Sequence, residues 1–370
     1  MMPDPRNLKH AKLLVDYCVE VQQGEWVVIH CQPVAEPLIN AVVSAVLQAG
    51  GFPTVMMELP FYKEILLRSG TEEQIRWYSP VDEFIVNNCA VSIYIDSSVN
   101  VNMLKSVTPE KMQMRSEPDG KWFDSFSKRS TSGDLRWVYS IYPCAAFAQQ
   151  AEMSLNQYED FVYSAMGVDQ DDPVAHWCHL KNYQQKLIDW LVGKKEVVIK
   201  GKHVDLTLSI EDRIFINSDG KENMPSGEIF TGPVEDSANG WIRFNYPAVF
   251  NGQTVENVFM RFLNGKIIEA KADKGQNYLE TILDTDEGSR YLGEFAFGTN
   301  NGIRQFTGNI LFDEKIGGSI HVAIGAGYPK TGSVNQSSVH WDFICDSRED
   351  TSVWIDGNLF YKDGVFVVGI

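Results

Sequence analysis

Residues 26–57 read WVVIHCQPVAEPLINAVVSAVLQAGGFPTVMM. The run Trp26-Val27-Val28-Ile29-His30 is short and apolar, as in a strand buried on both faces of a parallel sheet. Pro37 sits where a first-turn proline belongs, and the helix that follows runs to a stop at Gly50-Gly51. Thr54-Val55-Met56-Met57 is the next strand. Strand, helix and strand in this order make a right-handed βαβ unit. Pro37 to Met57 carries no charge and is just long enough to span a bilayer. Asn40, Ser44, Gln48, Gly50-Gly51 and Pro53 interrupt it, so a buried helix followed by a strand is the better reading.

The same texture extends on both sides. Leu14, Cys18 and Val21 recur at helical spacing and predict an amphipathic helix over 10–21. Val91 to Ile95 and Trp137 to Ile141 read as further buried strands. The first half is therefore α/β with a mainly parallel sheet. The stretch Val168-Asp169-Gln170-Asp171-Asp172-Pro173 breaks the pattern. A helix follows, with Leu180, Tyr183, Leu187 and Leu191 on one face, ending near Gly193. From Glu196 the chain turns to short alternating strands, over 204–210, 213–217 and 256–263. Asn264-Gly265 joins the last of these to a strand over 266–270, a two-residue hairpin signal. Asp356-Gly357 and Asp363-Gly364 punctuate the C-terminal strands in the same way. The expected architecture is two domains. Residues 1–195 form an N-terminal, mainly parallel α/β domain, and 196–370 a C-terminal α+β domain rich in antiparallel strands that carries the catalytic chemistry.

Composition limits the functions open to this chain of 370 residues. It is 44% hydrophobic and 22% charged, near globular averages, and long enough for more than one core. Its net charge of −17 repels phosphate backbones and anionic lipid, which argues against nucleic-acid and membrane partners. Cys18, Cys31, Cys89, Cys144, Cys178 and Cys345 are scattered, with no C-x-x-C pair, as expected of reduced thiols in a cytoplasm. Met-Met-Pro-Asp-Pro-Arg at the start lacks the apolar run of a signal peptide.

Two of the seven histidines stand in unusual company. On a strand, Ser319, His321, Ala323 and Gly325 share one face, so His321 projects among small residues with room beside it. Taken alone it reads first as a core histidine bonded to backbone. His340 and Asp342 likewise share a face, opposite Val339, Trp341 and Phe343. Side chains two apart on a strand stand roughly 6.5–7 Å apart at their bases, which suits convergence on one cation or service of two. In the simpler reading Asp342 only orients His340. Glu228 lies in the stiff segment Pro225-Ser226-Gly227-Glu228-Ile229-Phe230-Thr231-Gly232-Pro233. Glu294 is the one charge in Tyr291-Leu292-Gly293-Glu294-Phe295-Ala296-Phe297. A carboxylate in such surroundings is exposed at an element end or paired with a cation. Asp284-Thr285-Asp286-Glu287-Gly288 has its glycine one place early for a calcium loop and reads as an acidic helix start. Phosphate-loop, dinucleotide, G-x-S-x-G and H-E-x-x-H motifs are absent.

Taken together, four blocks resemble the thermophilic metallo-aminopeptidase family, the aminopeptidase T and aminopeptidase S group. They are Met224-Pro-Ser-Gly-Glu228-Ile-Phe-Thr, Asp286-Glu-Gly-Ser-Arg-Tyr-Leu-Gly-Glu294, Asn309-Ile-Leu-Phe-Asp-Glu-Lys-Ile-Gly-Gly-Ser-Ile-His321 and Val339-His340-Trp-Asp342. Tyr142-Pro-Cys-Ala-Ala-Phe-Ala-Gln149-Gln-Ala-Glu-Met-Ser-Leu extends the resemblance into the first half. The resemblance implies two divalent metal ions per chain, held by Glu228, Glu294, His321, His340 and Asp342, with Glu294 or Asp342 bridging. It implies a site role for Tyr328, although Gly-Ala-Gly-Tyr328 differs from the family's more usual Ser-Tyr. Such a donor set suits Zn²⁺, Co²⁺, Mn²⁺ or Mg²⁺. Two cations sharing a hydroxide would attack the scissile carbonyl, with Tyr328 donating to the oxyanion and Glu228 or Glu294 open as general base. The resemblance further implies short peptide substrates, a site facing an enclosed space, and a homodimer. The alternatives are a mononuclear Fe(II) ring-cleaving dioxygenase on a related fold and a non-catalytic binding protein.

Overall fold

The computed structural model describes residues 4–369. Its contacts divide the chain into two compact units: residues up to Val174 with Gly220–Pro225, and Ala175–Asp219 with Ser226 onward. The break at 195 read from sequence lies one helix further along. Helix Pro173–Leu191 keeps company with the second unit because Leu187, Ile188 and Leu191 are in that unit's core. Its Gln184 amide also donates to Asn217 Oδ1 at 2.5 Å.

The first unit is built on a parallel sheet of β1 (Trp26–Cys31), β2 (Phe52–Met57), β3 (Val91–Asp96), β4 (Arg136–Ile141) and the two-residue β5 (Asn223–Met224). The spatial order is β2-β1-β3-β4-β5, and every pairing is parallel. Pro53 is tolerated because β2 is an edge strand. The helix Glu36–Gln48 between β1 and β2 buries Leu38, Val42 and Val46 completely, one residue per turn. It stops at Gly50, whose φ of +82° suits glycine. Gly51 is needed for room: a Cβ there would stand 2.9 Å from Val21 Cγ1 and 3.0 Å from Val46 Cγ1.

The N-terminal helix departs from the sequence expectation. It begins at Arg6, not at His10, and after Lys12 widens into a π-type turn over Leu13–Cys18, so Val21 lies outside it. Val19 N–H donates to Leu14 O at 3.1 Å, five residues back. Leu13, Leu14, Val15, Tyr17 and Cys18 are all buried, a wider apolar surface than the i, i+4, i+7 stripe read from sequence.

The second unit contains two large antiparallel sheets and a two-stranded antiparallel ribbon of Ala248–Phe250 and Gln253–Val255. One has eight strands and includes Glu196–Gly201, Val204–Ser209, Phe259–Leu263 and Lys266–Lys271. The expected strands over 213–217 and 256–263 are shorter, at Ile216–Ser218 and Phe259–Leu263. Asn264 and Gly265 take the left-handed φ values of 48° and 79° that the hairpin signal requires. The other sheet carries β6 (Glu228–Thr231), β7 (Leu292–Gly298), β8 (Ser319–Gly325) and β9 (His340–Asp346), ordered β9-β8-β7-β6 with Ile216–Ser218 at the far edge. Phe295, Phe297, Val322, Ile324, Trp341 and Phe343 from this sheet share one core with Val197, Ile199 and Leu206 from the first. Period-two alternation then turns Glu294, His321, His340 and Asp342 to the opposite face.

Candidate metal centre

Register brings these side chains together. Ala323 of β8 stands between Glu294 of β7 and Asp342 of β9, and Gly325 pairs with His340. On the other side, Gly298 pairs with Glu228 and Ala296 with His321. The small residues that share the face with His321 therefore form the floor between the donors. Gly325, at φ +90°, has no room for a side chain, since a Cβ would stand 2.0 Å from Val339 O.

Glu294 lies at the middle of the cluster. Its Oε1 is 3.0 Å from His321 Nε2, and its Oε2 is 3.8 Å from His340 Nε2. Glu228 Oε2 lies 3.4 Å from His321 Nε2, and Asp342 Oδ1 lies 3.6 Å from His340 Nε2. One ligand atom each from Glu228, Glu294 and His321 fall within 4.8 Å of one another, as do those of Glu314, His321 and Asp342. The structure thus brings together all five residues singled out as ligands. Tyr328 stands beside them, 48% exposed, with its ring edge-on to His340 at 5.3 Å and tilted against Phe230 at 5.6 Å.

Of the two settings that the sequence allowed, an element end or a cationic partner, Glu294 takes the second: it is buried inside β7 against the imidazoles of His321 and His340. Two further charges were not singled out. Lys315 is fully buried, 3.6 Å from Glu228 Oε1 and paired with Glu314. The only signal for them was a Glu-Lys pair wedged between apolar residues and Gly317-Gly318, shortly before His321.

The electrostatics follow from crowding. Four carboxylates share one lysine. Burial pushes Glu228 up to about 7, against the pull of Lys315. Burial likewise pushes Asp342 up to about 6, against His340. Burial opposes a charge on His321, but its bond to Glu294 and the charge of Glu228 hold it up at about 9. His340 is also raised; burial opposes this, and Asp342 and Glu294 outweigh it. Glu314 is held low despite burial by Lys315 and His321. Protons on the imidazoles add to the positive charge that Lys315 supplies.

The donors fit a divalent cation. Glu228 Oε2, Asp342 Oδ1 and His321 Nδ1 are buried without a hydrogen-bond partner. His340 Nδ1 donates to Ala326 O at 2.8 Å, which turns Nε2 toward the carboxylates and makes it the nitrogen that would ligate a cation on giving up its proton. Oxygen and imidazole nitrogen together suit hard to borderline cations. The loop before His340 is tied down by Asp286, which accepts from Ser338 N at 2.8 Å, Ser337 Oγ at 2.8 Å and Ser289 N at 3.0 Å. The same Asp286 caps the helical turn Glu287–Arg290, so the acidic run is a helix start, as expected.

A carboxylate–imidazole cluster of this kind on an antiparallel sheet defines a candidate metalloenzyme. The chain belongs to the thermophilic metalloprotease (M29) family, whose model it matches over residues 4–366. It is 27% identical to aminopeptidase AmpS of Bacillus subtilis over 382 residues, covering 92% of each chain. It is 25% identical to aminopeptidase 2 of Geobacillus stearothermophilus over 399 residues, covering 96% of this chain and 94% of that one. Among solved structures it matches wild-type AmpT from Thermus thermophilus with a TM-score of 0.86 at 23% identity, over 98% of this chain and 99% of that one. The fold also matches 2,5-dihydroxypyridine dioxygenase from Pseudomonas putida KT2440, with a TM-score of 0.57 at 11% identity over 99% of each chain.

Proposed function

We propose that this protein is a dinuclear metal-dependent aminopeptidase that removes N-terminal residues from short peptides. Glu228, Glu294, His321, His340 and Asp342 are its metal ligands. The observation that carries this reading is Glu294, whose two oxygens face two different histidines, as a bridging carboxylate requires. When bound there, Zn²⁺, Co²⁺, Mn²⁺ or Mg²⁺ supply Lewis acidity and an activated water. The chain's own residues do the rest. Glu294 spans the two halves of the site, and Ala326 O keeps His340 in its ligating tautomer. Tyr328, partly exposed beside His340, donates its phenolic proton as a hydrogen bond to the developing oxyanion. Glu228 and Glu294 stay open as the base that takes the proton of the attacking water, and Glu314, paired with Lys315 beside them, is a third carboxylate in reach of the cluster.

A homodimer completes the reading by family resemblance. A cytoplasmic setting is supported by six free cysteines, five of them buried. No helix among the described residues is long and apolar enough to cross a membrane.

The test is metal content with activity. The purified protein is stripped with chelator, reloaded singly with Zn²⁺, Co²⁺, Mn²⁺ or Fe²⁺, and assayed on Leu- and Arg-p-nitroanilide and on short peptides. Two metals per chain with restored release of N-terminal residues is the expected result. One iron per chain, oxygen uptake on a dihydroxylated ring and no peptide cleavage would overturn it. Glu294→Gln should lower kcat/KM by at least about a hundredfold with the fold intact, because one bridging charge is lost.

A further inference from the structure

The first unit holds a cavity of its own. Its sheet order, β2-β1-β3-β4, reverses direction between β1 and β3. At such a reversal the connections leave the carboxyl ends of the two strands on opposite sides and open a crevice, the usual place for a ligand in an open α/β sheet. Here that crevice has a volume of about 440 Å³ and is lined from the ends of β1, β2 and β3.

Carboxylates outnumber cations in its lining, with Glu58, Asp82, Asp96 and Asp119 against Lys63 and Arg115. His30 at the end of β1 lies flat on Tyr94 of β3, with ring centroids 4.4 Å apart and planes within 7°. His30 Nε2 and Gln32 Oε1 are buried and have no hydrogen-bond partner. Unpaired buried polar atoms are costly, and two of them around one cavity call for an explanation. Asp96, at the end of β3, accepts a 2.6 Å bond from Tyr139 Oη, and no lysine or arginine forms an ion pair with it among the described residues. Arg115, one of two cationic side chains in the lining, is spent on Asp119 at 3.0 Å. Glu58 and Asp82 add to the negative wall. The nucleotide usually found at such a crevice would meet carboxylates here, with no glycine-rich turn to hold its phosphates.

Tyr62, Leu66 and Arg115 also line a second, apolar groove of about 710 Å³. There Leu59, Phe61, Ile65 and Trp77 are each more than half exposed. An acceptor-rich, negative cavity opening into an apolar groove matches a ligand with a positive donor head and an apolar body.

We propose that this crevice is a second binding site, built from residues other than the metal cluster, for a primary ammonium carried on an apolar or aromatic body. Asp96, Gln32 Oε1 and His30 Nε2 receive the ammonium N–H groups, the His30–Tyr94 stack forms the wall beside them, and the body lies in the adjoining groove. The proposal does not rest on the aminopeptidase reading.

The probe is 2-phenylethylamine, which has no bond for a peptidase to cut. Its binding to the full-length, metal-loaded protein is followed by titration calorimetry. 2-Phenylethanol serves as the neutral control and phenyl phosphate as the anionic one. The amine should bind at least about tenfold more tightly than the alcohol, as a charge-assisted bond to a half-buried carboxylate demands. Asp96→Asn should lose about tenfold or more in affinity while hydrolysis of a p-nitroanilide is unchanged, and Glu294→Gln should keep the binding. Should Asp96→Asn fail to fold, His30→Phe preserves the ring stack, removes the nitrogen and should weaken binding. Equal affinity for amine and alcohol, tighter binding of phenyl phosphate, or undiminished affinity in both Asp96→Asn and His30→Phe would overturn the proposal.

Discussion

Lys315 shows how a single residue sets the character of the centre. A fully buried ammonium is costly, and it is retained here beside Glu228 and Glu314. Replacing it by Met removes the one fixed positive charge and leaves buried carboxylates uncompensated. Lys315→Met should therefore destabilise the chelator-treated protein by about 3–5 kcal/mol, read from its urea midpoint. The metal-loaded protein should lose less, because the cations supply the missing charge. Equal losses in both states would show that Lys315 serves packing alone. Sequence reading reached His321, His340 and Asp342 through strand alternation, a pattern the pleat enforces. It passed over Lys315 because the adjacent Glu314-Lys315 pair reads like any surface charge pair, and the Glu228 that it also faces is 87 positions away.

At the scale of elements, face alternation and turn signals are legible and the irregular pieces are not. Asn264-Gly265, the Gly50 stop and the small-residue face of β8 each rest on local sterics, and each is found where expected. The π-type turn over Leu13–Cys18 and the return of Asn223–Met224 to the parallel sheet depend on tertiary packing. The division of the chain shifts for the same reason: helix Pro173–Leu191 is placed by what it buries. Asp286 links element to site, since one carboxylate caps a turn and holds the loop before β9. Despite partial burial, the N–H of Ser338 and the hydroxyls of Ser337, Ser289 and Ser338 hold it well below the usual carboxylate range. Asp286→Ala should cost roughly 1–3 kcal/mol and speed hydrogen exchange at Ser338. Unchanged protection at Ser338 would mean that the loop is held by other contacts.

For the whole molecule, pH acts through groups of opposite sign. His10 is fully buried and bonded to Ser140 Oγ at 2.9 Å. Ser140 spends its own proton on Met224 O, so Nε2 is the donor in the neutral ring. Burial pushes His10 down to about 3. The unfolded chain takes up this proton near pH 6.5 and the folded chain does not. Its contribution is therefore complete above about pH 6.5 and declines as pH falls, by up to about 1.4 kcal/mol per pH unit. Glu228 and Asp342, raised by burial to about 7 and about 6, bind protons in the folded state first and act in the opposite direction. Comparison with His10→Leu isolates the histidine. Between pH 7 and 4.5 the urea midpoint of wild type should fall more steeply than that of the variant, and parallel slopes would contradict the assignment.

The internal ammonium of Lys315 has a consequence for how the centre is supplied. A cluster that carries its own counter-charge, and can add protons at His321 and His340, need not be assembled around an ion. Loading becomes an exchange of protons for cations on a finished scaffold. Removal of the cations should then silence the protein reversibly, with its circular dichroism preserved, and activity should return on re-addition without refolding. Scarcity of metal in the cell would act as a dimmer on a standing pool of protein, sparing it from degradation.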